Sequence, residues 1–238
     1  MSVTVILGRR GCGKTTNIKA RLHSESRLII FDTLAEYGAC GRVFRDPLAM
    51  VDYLERRQRT YFKCVYQPVE AEDLTEPFSY VMRAVWICGD CTLVLDEIDQ
   101  VSSPSSVPFE LRRNLNYGRH RSIKVILSSR RAANVPRLVT SQADEIVSFN
   151  QIEPRDVKYI EEFCGSEFAE RTKRLPKYQC ITFRPGQDHR EPMNRNVEEE
   201  EEREEVDPSE REEKDPATPL TPPSDSGTEE VDAPPPGN

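Results

Sequence analysis

No run of apolar residues in this 238-residue chain approaches the ~18 needed to cross a bilayer as a helix, so no membrane-spanning segment is expected. Disulfide scaffolding is equally unsupported. The seven cysteines (Cys12, Cys40, Cys64, Cys88, Cys91, Cys164, Cys180) are odd in number, scattered, and form a single C-x-x-C from Cys88 to Cys91. With no signal-peptide pattern ahead of them, they point to a reducing compartment. Zinc would need a second ligand pair, and the three histidines, His23, His120 and His189, offer no suitable spacing. Two further absences divide the chain. Residues 188 to 238 have almost no large apolar side chains, and they carry 18 acidic against 5 basic residues, a net of −13. Such a segment has too little apolar surface to offset its ordering entropy and reads as a disordered, Pro-rich acidic tail. The whole chain is −8, so residues 1 to 187 carry +5 and form the folded domain. Within them, Leu111 to Ala143 holds eight Lys or Arg and no Asp or Glu, a local field suited to phosphate backbones.

What is present begins at the first residues. Val3-Thr-Val-Ile-Leu7 is an apolar, β-branched run that leads into Gly8-Arg9-Arg10-Gly11-Cys12-Gly13-Lys14-Thr15-Thr16. G-x-x-x-x-G-K-T between a strand and a helix is a phosphate-binding loop, and residues 8 to 16 are the candidate nucleotide contacts. Glycines at 8, 11 and 13 would let the backbone adopt positive φ and approach phosphate oxygens, so that N–H groups at the next helix's start form an anion cradle. Lys14 would reach the β and γ phosphates of ATP, and Thr15 would hold Mg²⁺. Cys12, beside a helix N-terminus, is expected to have a lowered pKa and to make activity sensitive to thiol alkylation.

Short apolar runs alternate with helical patterns, which predicts an α/β fold whose mostly parallel sheet is covered on both faces. Strands are expected at Val3 to Leu7, Arg27 to Phe31, Tyr61 to Tyr66, Thr92 to Leu95, Lys124 to Ser128, Glu145 to Phe149 and Tyr178 to Phe183. Helices are expected at Lys14 to His23, Pro47 to Arg57, Glu76 to Ile87, Pro108 to Tyr117 and Pro154 to Phe163, with each proline in a first turn. Val101 to Val107 reads as a loop. The strand Thr92-Leu-Val-Leu95 ends in Asp96-Glu97, two carboxylates at the edge where open α/β sheets place ligands. Asp96 would hold Mg²⁺ directly or through water, and Glu97 would act as general base on the attacking water.

A third group of residues carries a family likeness. Asn116-Tyr-Gly-Arg119 through Leu127-Ser-Ser-Arg130-Arg131, then Thr140 to Phe149 and Glu153-Pro-Arg155-Asp156, resembles the HerA/FtsK superfamily of ring-forming DNA-pumping ATPases. The likeness spans about residues 2 to 160 in motif order. Small size and the absence of a membrane span make it most similar to genome-packaging ATPases of tailless, internal-membrane viruses.

The resemblance implies a RecA-like P-loop core and an ATPase that translocates double-stranded DNA without sequence preference. Arg119 matches the family's arginine finger, which completes a neighbouring subunit's site, with Arg112, Arg113 and Arg121 as rivals. The family commonly places Gln before Arg as its γ-phosphate sensor; here Ser129 and Arg130 are the candidates. Arg112, Arg113, Arg121 and Arg131 are the candidate DNA contacts. The implied partners are copies of the chain in a pentameric or hexameric ring, and capsid or membrane-associated packaging proteins. The implied locations are host cytoplasm and the virion's packaging vertex. Two alternatives stand beside this reading: an assembly or extrusion ATPase of the zonula-occludens-toxin kind, and a nucleotide-dependent switch or scaffold.

Overall fold

The computed structural model describes residues 2 to 186 apart from residue 59 and residues 70 to 72. The acidic segment from 188 onward lies outside the described residues. Eight strands form one sheet: β1 (Val3–Leu7), β2 (Arg27–Phe31), β3 (Arg42–Phe44), β4 (Phe62–Tyr66), β5 (Thr92–Leu95), β6 (Lys124–Ser129), β7 (Glu145–Phe149) and β8 (Cys180–Phe183). Their spatial order is β3-β4-β2-β5-β6-β1-β7-β8, and every pairing is parallel except the antiparallel β7–β8 edge. β1 is held between β6, with Val3 opposite Val125, and β7, with Thr4 opposite Glu145.

The near-continuous apolar strands are explained by burial on both sides. Alternate residues supply two apolar layers: Val3, Val5 and Leu7 with Ile29, Phe31, Leu93, Leu95, Val125 and Leu127 on one face, and Ile6 with Leu28, Ile30, Val94, Ile126 and Val147 on the other. The first layer receives Met50 and Leu54 of α2 (Pro47–Glu55), Val81 and Val85 of α3 (Thr75–Cys88) and Leu111 and Leu115 of α4 (Phe109–Tyr117). It also receives Val139 of α5 (Arg137–Ser141), Ile160 of α6 (Pro154–Cys164) and Phe168 of α7 (Ser166–Lys173). The second face is covered by α1 (Lys14–Arg21) through Ile18, together with Leu22 and Tyr37. The cover is therefore asymmetric: among the described residues α1 is the one α-helix that contributes to the phosphate-loop face, beside the short turn at Gly38–Cys40.

Several expectations need correction. Pro108 is not in the first turn of α4 but caps it from outside, at φ −52° and ψ 143°, whereas Pro47 and Pro154 do occupy first turns. α1 stops at Arg21 and α2 at Glu55, each two residues short of the expected end. β3 escaped notice because two of its three residues are exposed, leaving no alternation to read. α7 follows α6 after the single residue Gly165, whose φ of 88° ends one helix and starts the next. β8 begins at Cys180, so Tyr178 lies outside it, in a turn with φ 69°.

Candidate functional site

The C-terminal ends of β1, β5 and β6 converge on a cleft of about 570 Å³ lined by Arg10, Gly11, Gly13, Lys14, Thr15, Thr16, Leu34, Glu36, Glu97, Arg130 and Tyr178. Its floor is the loop after β1. Gly11 and Gly13 have φ of 72° and 109°, the conformations expected of glycine in an anion cradle. Gly8 is required for a different reason. Its φ is not positive, but a Cβ there would lie 2.5 Å from Cys12 Sγ and 2.8 Å from Phe149 Cβ. Arg9 is exposed, and neither it nor Gly8 nor Cys12 lines the cleft.

Lys14 opens α1 and is almost fully buried. Its ammonium donates to Gly8 O at 2.9 Å and pairs with Glu97 Oε1 at 3.3 Å. Glu97 is gripped from the other side by Arg130, through Nε to Oε1 at 3.0 Å and backbone N–H to Oε2 at 3.0 Å. Its backbone sits at φ 53° and ψ 66°, a left-handed conformation uncommon for a non-glycine residue and found disproportionately at functional sites. Next to it, Asp96 Oδ1 accepts the Ser128 hydroxyl at 2.6 Å, and the same hydroxyl accepts the Glu97 N–H at 3.1 Å. Burial, with the Glu97 and Glu36 charges adding to it against the Ser128 hydrogen bond, pushes the Asp96 carboxyl up to about 6.

The residues fit a magnesium ion. Asp96 Oδ2 is buried with no hydrogen-bond partner, and the hard oxygen donors Thr15 Oγ1 and Glu36, joined by a 2.5 Å hydrogen bond, line the cleft, with the Glu36 charge acting on Asp96. Among the described residues no group of three or more His, Cys, Asp or Glu could hold a metal without other ligands. That donor set suits a cation that keeps waters and takes phosphate oxygens.

Glu36 was missed from the sequence. Asp32, fully buried just beyond β2, shapes the turn that delivers it, accepting Glu36 N–H at 3.0 Å, Tyr37 N–H at 2.9 Å and Gln67 Nε2 at 2.8 Å. The available signal was the one that found Asp96: an apolar strand ending in an acid, here on the strand paired with β5.

Cys12 departs from expectation. Its thiol is buried, and burial pushes its pKa up, outweighing the lowering by Lys14. Of the sensor candidates, Arg130 lines the cleft, whereas Ser129 is fully buried and bonds Asp99 and the Arg131 backbone.

The acid-free stretch is not a free positive field. Lys124 pairs with Glu25, Arg130 with Glu97, Arg131 with Glu153 and Asp156, and Arg137 with Glu162, all acids from other segments. Arg113 and Arg121 stack on Trp86, and Arg121 also donates to the backbone oxygens of Trp86 and Ile87. The expectation that Arg131 is available to DNA is corrected accordingly: its guanidinium is committed to two carboxylates. Arg112 and Arg119 are exposed and make no ion pair among the described residues.

Arg119 lies far from this cleft. It sits in the short turn Gly118–Arg121 ahead of β6, where Arg121 O accepts Asp90 N–H at 2.6 Å and Cys91 O accepts Lys124 N–H at 2.9 Å, at the N-terminal ends of β5 and β6. Arg130 follows the far end of β6, roughly 20 Å away at ~3.3 Å per strand residue. Arg119 and the cleft of the same chain are at opposite ends of the strands.

No protein-family model matches the chain, and no curated protein does. Solved structures do. The genome-packaging NTPase B204 of Sulfolobus turreted icosahedral virus 2 in complex with AMPPCP is 25% identical, with a TM-score of 0.63 over 77% of this chain and 92% of that one. Its complex with ATP-gammaS gives 23% identity and a TM-score of 0.62 over the same shares. B204 of Sulfolobus turreted icosahedral virus, described as its DNA-packaging ATPase, gives 22% identity and a TM-score of 0.58 over 77% of this chain and 97% of that one. The chain thus has a P-loop NTPase fold, and genome-packaging NTPases, the branch its motif order resembles, are among the proteins that share it.

Proposed function

We propose that this protein is an ATPase that drives a viral genome into a capsid as a homo-oligomeric ring. The observation that carries the reading is the meeting of Lys14, Thr15, Glu97 and Arg130 in one cleft, with Asp96 buried next to Glu97 and Arg119 at the opposite end of the strands.

In this reading the backbone N–H groups of Gly11, Gly13, Lys14 and Thr15 receive the phosphates, and the Lys14 ammonium neutralises the β and γ oxygens. Thr15 and Asp96 would hold Mg²⁺, with Glu36 close by, and the ion supplies charge neutralisation at the phosphates. Glu97 takes the proton from the attacking water. Lys14 and Arg130 position its carboxylate by gripping it from two sides, and Arg130 is poised to sense the γ phosphate. A finger that cannot serve its own cleft serves the next copy's, which makes the contact heterologous and closes a ring where the rotation permits. Double-stranded DNA would be held through phosphate contacts, with Arg112 as the leading candidate. The protein would act in the host cytoplasm and at the packaging vertex, in company with capsid proteins.

Steady-state ATP hydrolysis over a range of protein concentrations, with and without double-stranded DNA, tests this for the unsubstituted protein, Lys14→Ala and Arg119→Ala. Expected are turnover that rises with DNA and cooperatively with protein, its loss in Lys14→Ala, and a fall of ~10³ or more in Arg119→Ala. The DNA effect should decline steeply as salt is raised. Turnover indifferent to DNA and to protein concentration would overturn the motor and leave a nucleotide switch.

A further inference from the structure

A triphosphate has two chemically distinct ends, and the cleft described so far accounts for one of them. Its floor and back wall are charged or polar and suit phosphate. A nucleobase needs a flat apolar surface, and among the described residues that line the cleft Tyr178 is the only aromatic one. The residue is 66% exposed, so its side chain is open to a ligand in the cleft.

The local structure holds that ring at the phosphate loop. After α7 the chain turns through Pro176, with Gln179 N–H donating to Pro176 O at 3.2 Å. Tyr178 takes a φ of 69°, a conformation uncommon for a bulky side chain and one that glycine or asparagine adopts more readily. The following strand then pairs with β7, Cys180 opposite Phe149. Phe149 in turn packs on Gly13, its Cε1 lying 3.3 Å from where a Gly13 Cβ would stand, and Tyr178 Cδ1 lies 3.6 Å from the same point. The ring is therefore seated beside the first residue of α1, on the β7–β8 side of the cleft, whereas Glu36 and the Asp32 turn approach from the β2 side. The Lys177 ammonium sits 4.7 Å from the ring centroid, so a ligand would have one face and the edge of the ring.

We propose that Tyr178 is the platform on which the base of the bound nucleoside triphosphate stacks, giving the site a preference for purines over pyrimidines. The inference rests on the reading of the cleft as a nucleotide site and adds the feature that selects the base. A stacking surface reads ring area, so the larger purine gains more from it than the pyrimidine.

Equilibrium binding of ATP, CTP and inorganic tripolyphosphate, each with Mg²⁺, tests this on the full chain for the unsubstituted protein, Lys14→Ala, Tyr178→Phe and Tyr178→Asn. Asparagine removes the ring while tolerating the left-handed backbone. Tyr178→Asn is expected to weaken ATP by ~5- to ~150-fold and to erase its margin over CTP, while tripolyphosphate binds as before. Tyr178→Phe retains the ATP-over-tripolyphosphate margin. Unchanged ATP affinity in Tyr178→Asn, alongside loss of binding in Lys14→Ala, overturns the platform and keeps the nucleotide site. Equal weakening of ATP and tripolyphosphate also overturns it, because it reports a disturbed phosphate loop. An unsubstituted protein that binds no ATP overturns both.

Discussion

Replacing Asp96 by Asn should stabilise the protein and, on the proposed reading, abolish magnesium-dependent ATP hydrolysis. Asp96 is 3% exposed, with Oδ2 unpartnered and Glu97 and Glu36 as neighbours, and its carboxyl is pushed from 3.8 to about 6. A carboxyl whose folded pKa exceeds its unfolded one favours the fold only when protonated. Stability is therefore lost as pH rises from about 3.8 to about 6, and the full penalty applies above that range. Just over two pH units at 1.36 kcal/mol each is ~3 kcal/mol at pH 7.5. Asparagine carries no charge and can still accept from Ser128, although the neutral bond is weaker by about 1 kcal/mol, so a net gain of about 2 kcal/mol is expected. For a domain of this size that raises the melting temperature by roughly 4 to 8 °C. Thermal unfolding with a chelator and no nucleotide reads it directly. The charge penalty should shrink to about half near pH 5, and the gain with it. A variant that melts no higher at pH 7.5, or whose gain ignores pH, would refute the account of Asp96 as a buried charge that costs the fold stability.

Glu97→Gln should bind ATP yet lower kcat by ~10² to 10⁴, since it retains the acceptor that Lys14 and Arg130 grip but loses the base; near-normal turnover would remove Glu97 from that role. Gly8→Ala should cost ~1 to 3 kcal/mol by forcing its Cβ against Cys12 Sγ and Phe149, and Cys12→Ala in the same chain should recover part of that in thermal melts. Limited alkylation followed by mass spectrometry should modify the exposed Cys180 before the buried Cys12 and leave hydrolysis intact; early Cys12 labelling with loss of activity would contradict the burial.

The parts of the site legible in the sequence were those built from neighbours along the chain. Gly8 to Thr15 is a contiguous device, and Asp96-Glu97 follows its strand directly, so both could be placed before any tertiary contact was known. Features built across the chain were not legible. The stretch from Leu111 to Ala143 contains no acid, yet Glu25, Glu97, Glu153, Asp156 and Glu162 come to it from outside, and only the fold reveals them. Cys12 was misjudged for the same reason. Its helix-start position was visible, while the Phe149 side chain that packs over this loop lies 137 positions away. Glu36 escaped because it lies four positions beyond Asp32, the acid that follows β2, and only the Asp32 turn brings it to Thr15.

In the proposed ring, Arg119 and the cleft, at opposite ends of the strands, would give each copy a donor end and an acceptor end. A linear row of such copies always contains one cleft without a finger and one finger without a cleft, whatever its length. Closing the row completes one more site at no further cost in protein. Sub-stoichiometric poisoning should therefore be directional: a subunit lacking Arg119 silences the cleft on one side of it and leaves the other untouched, while a subunit lacking Lys14 silences only itself.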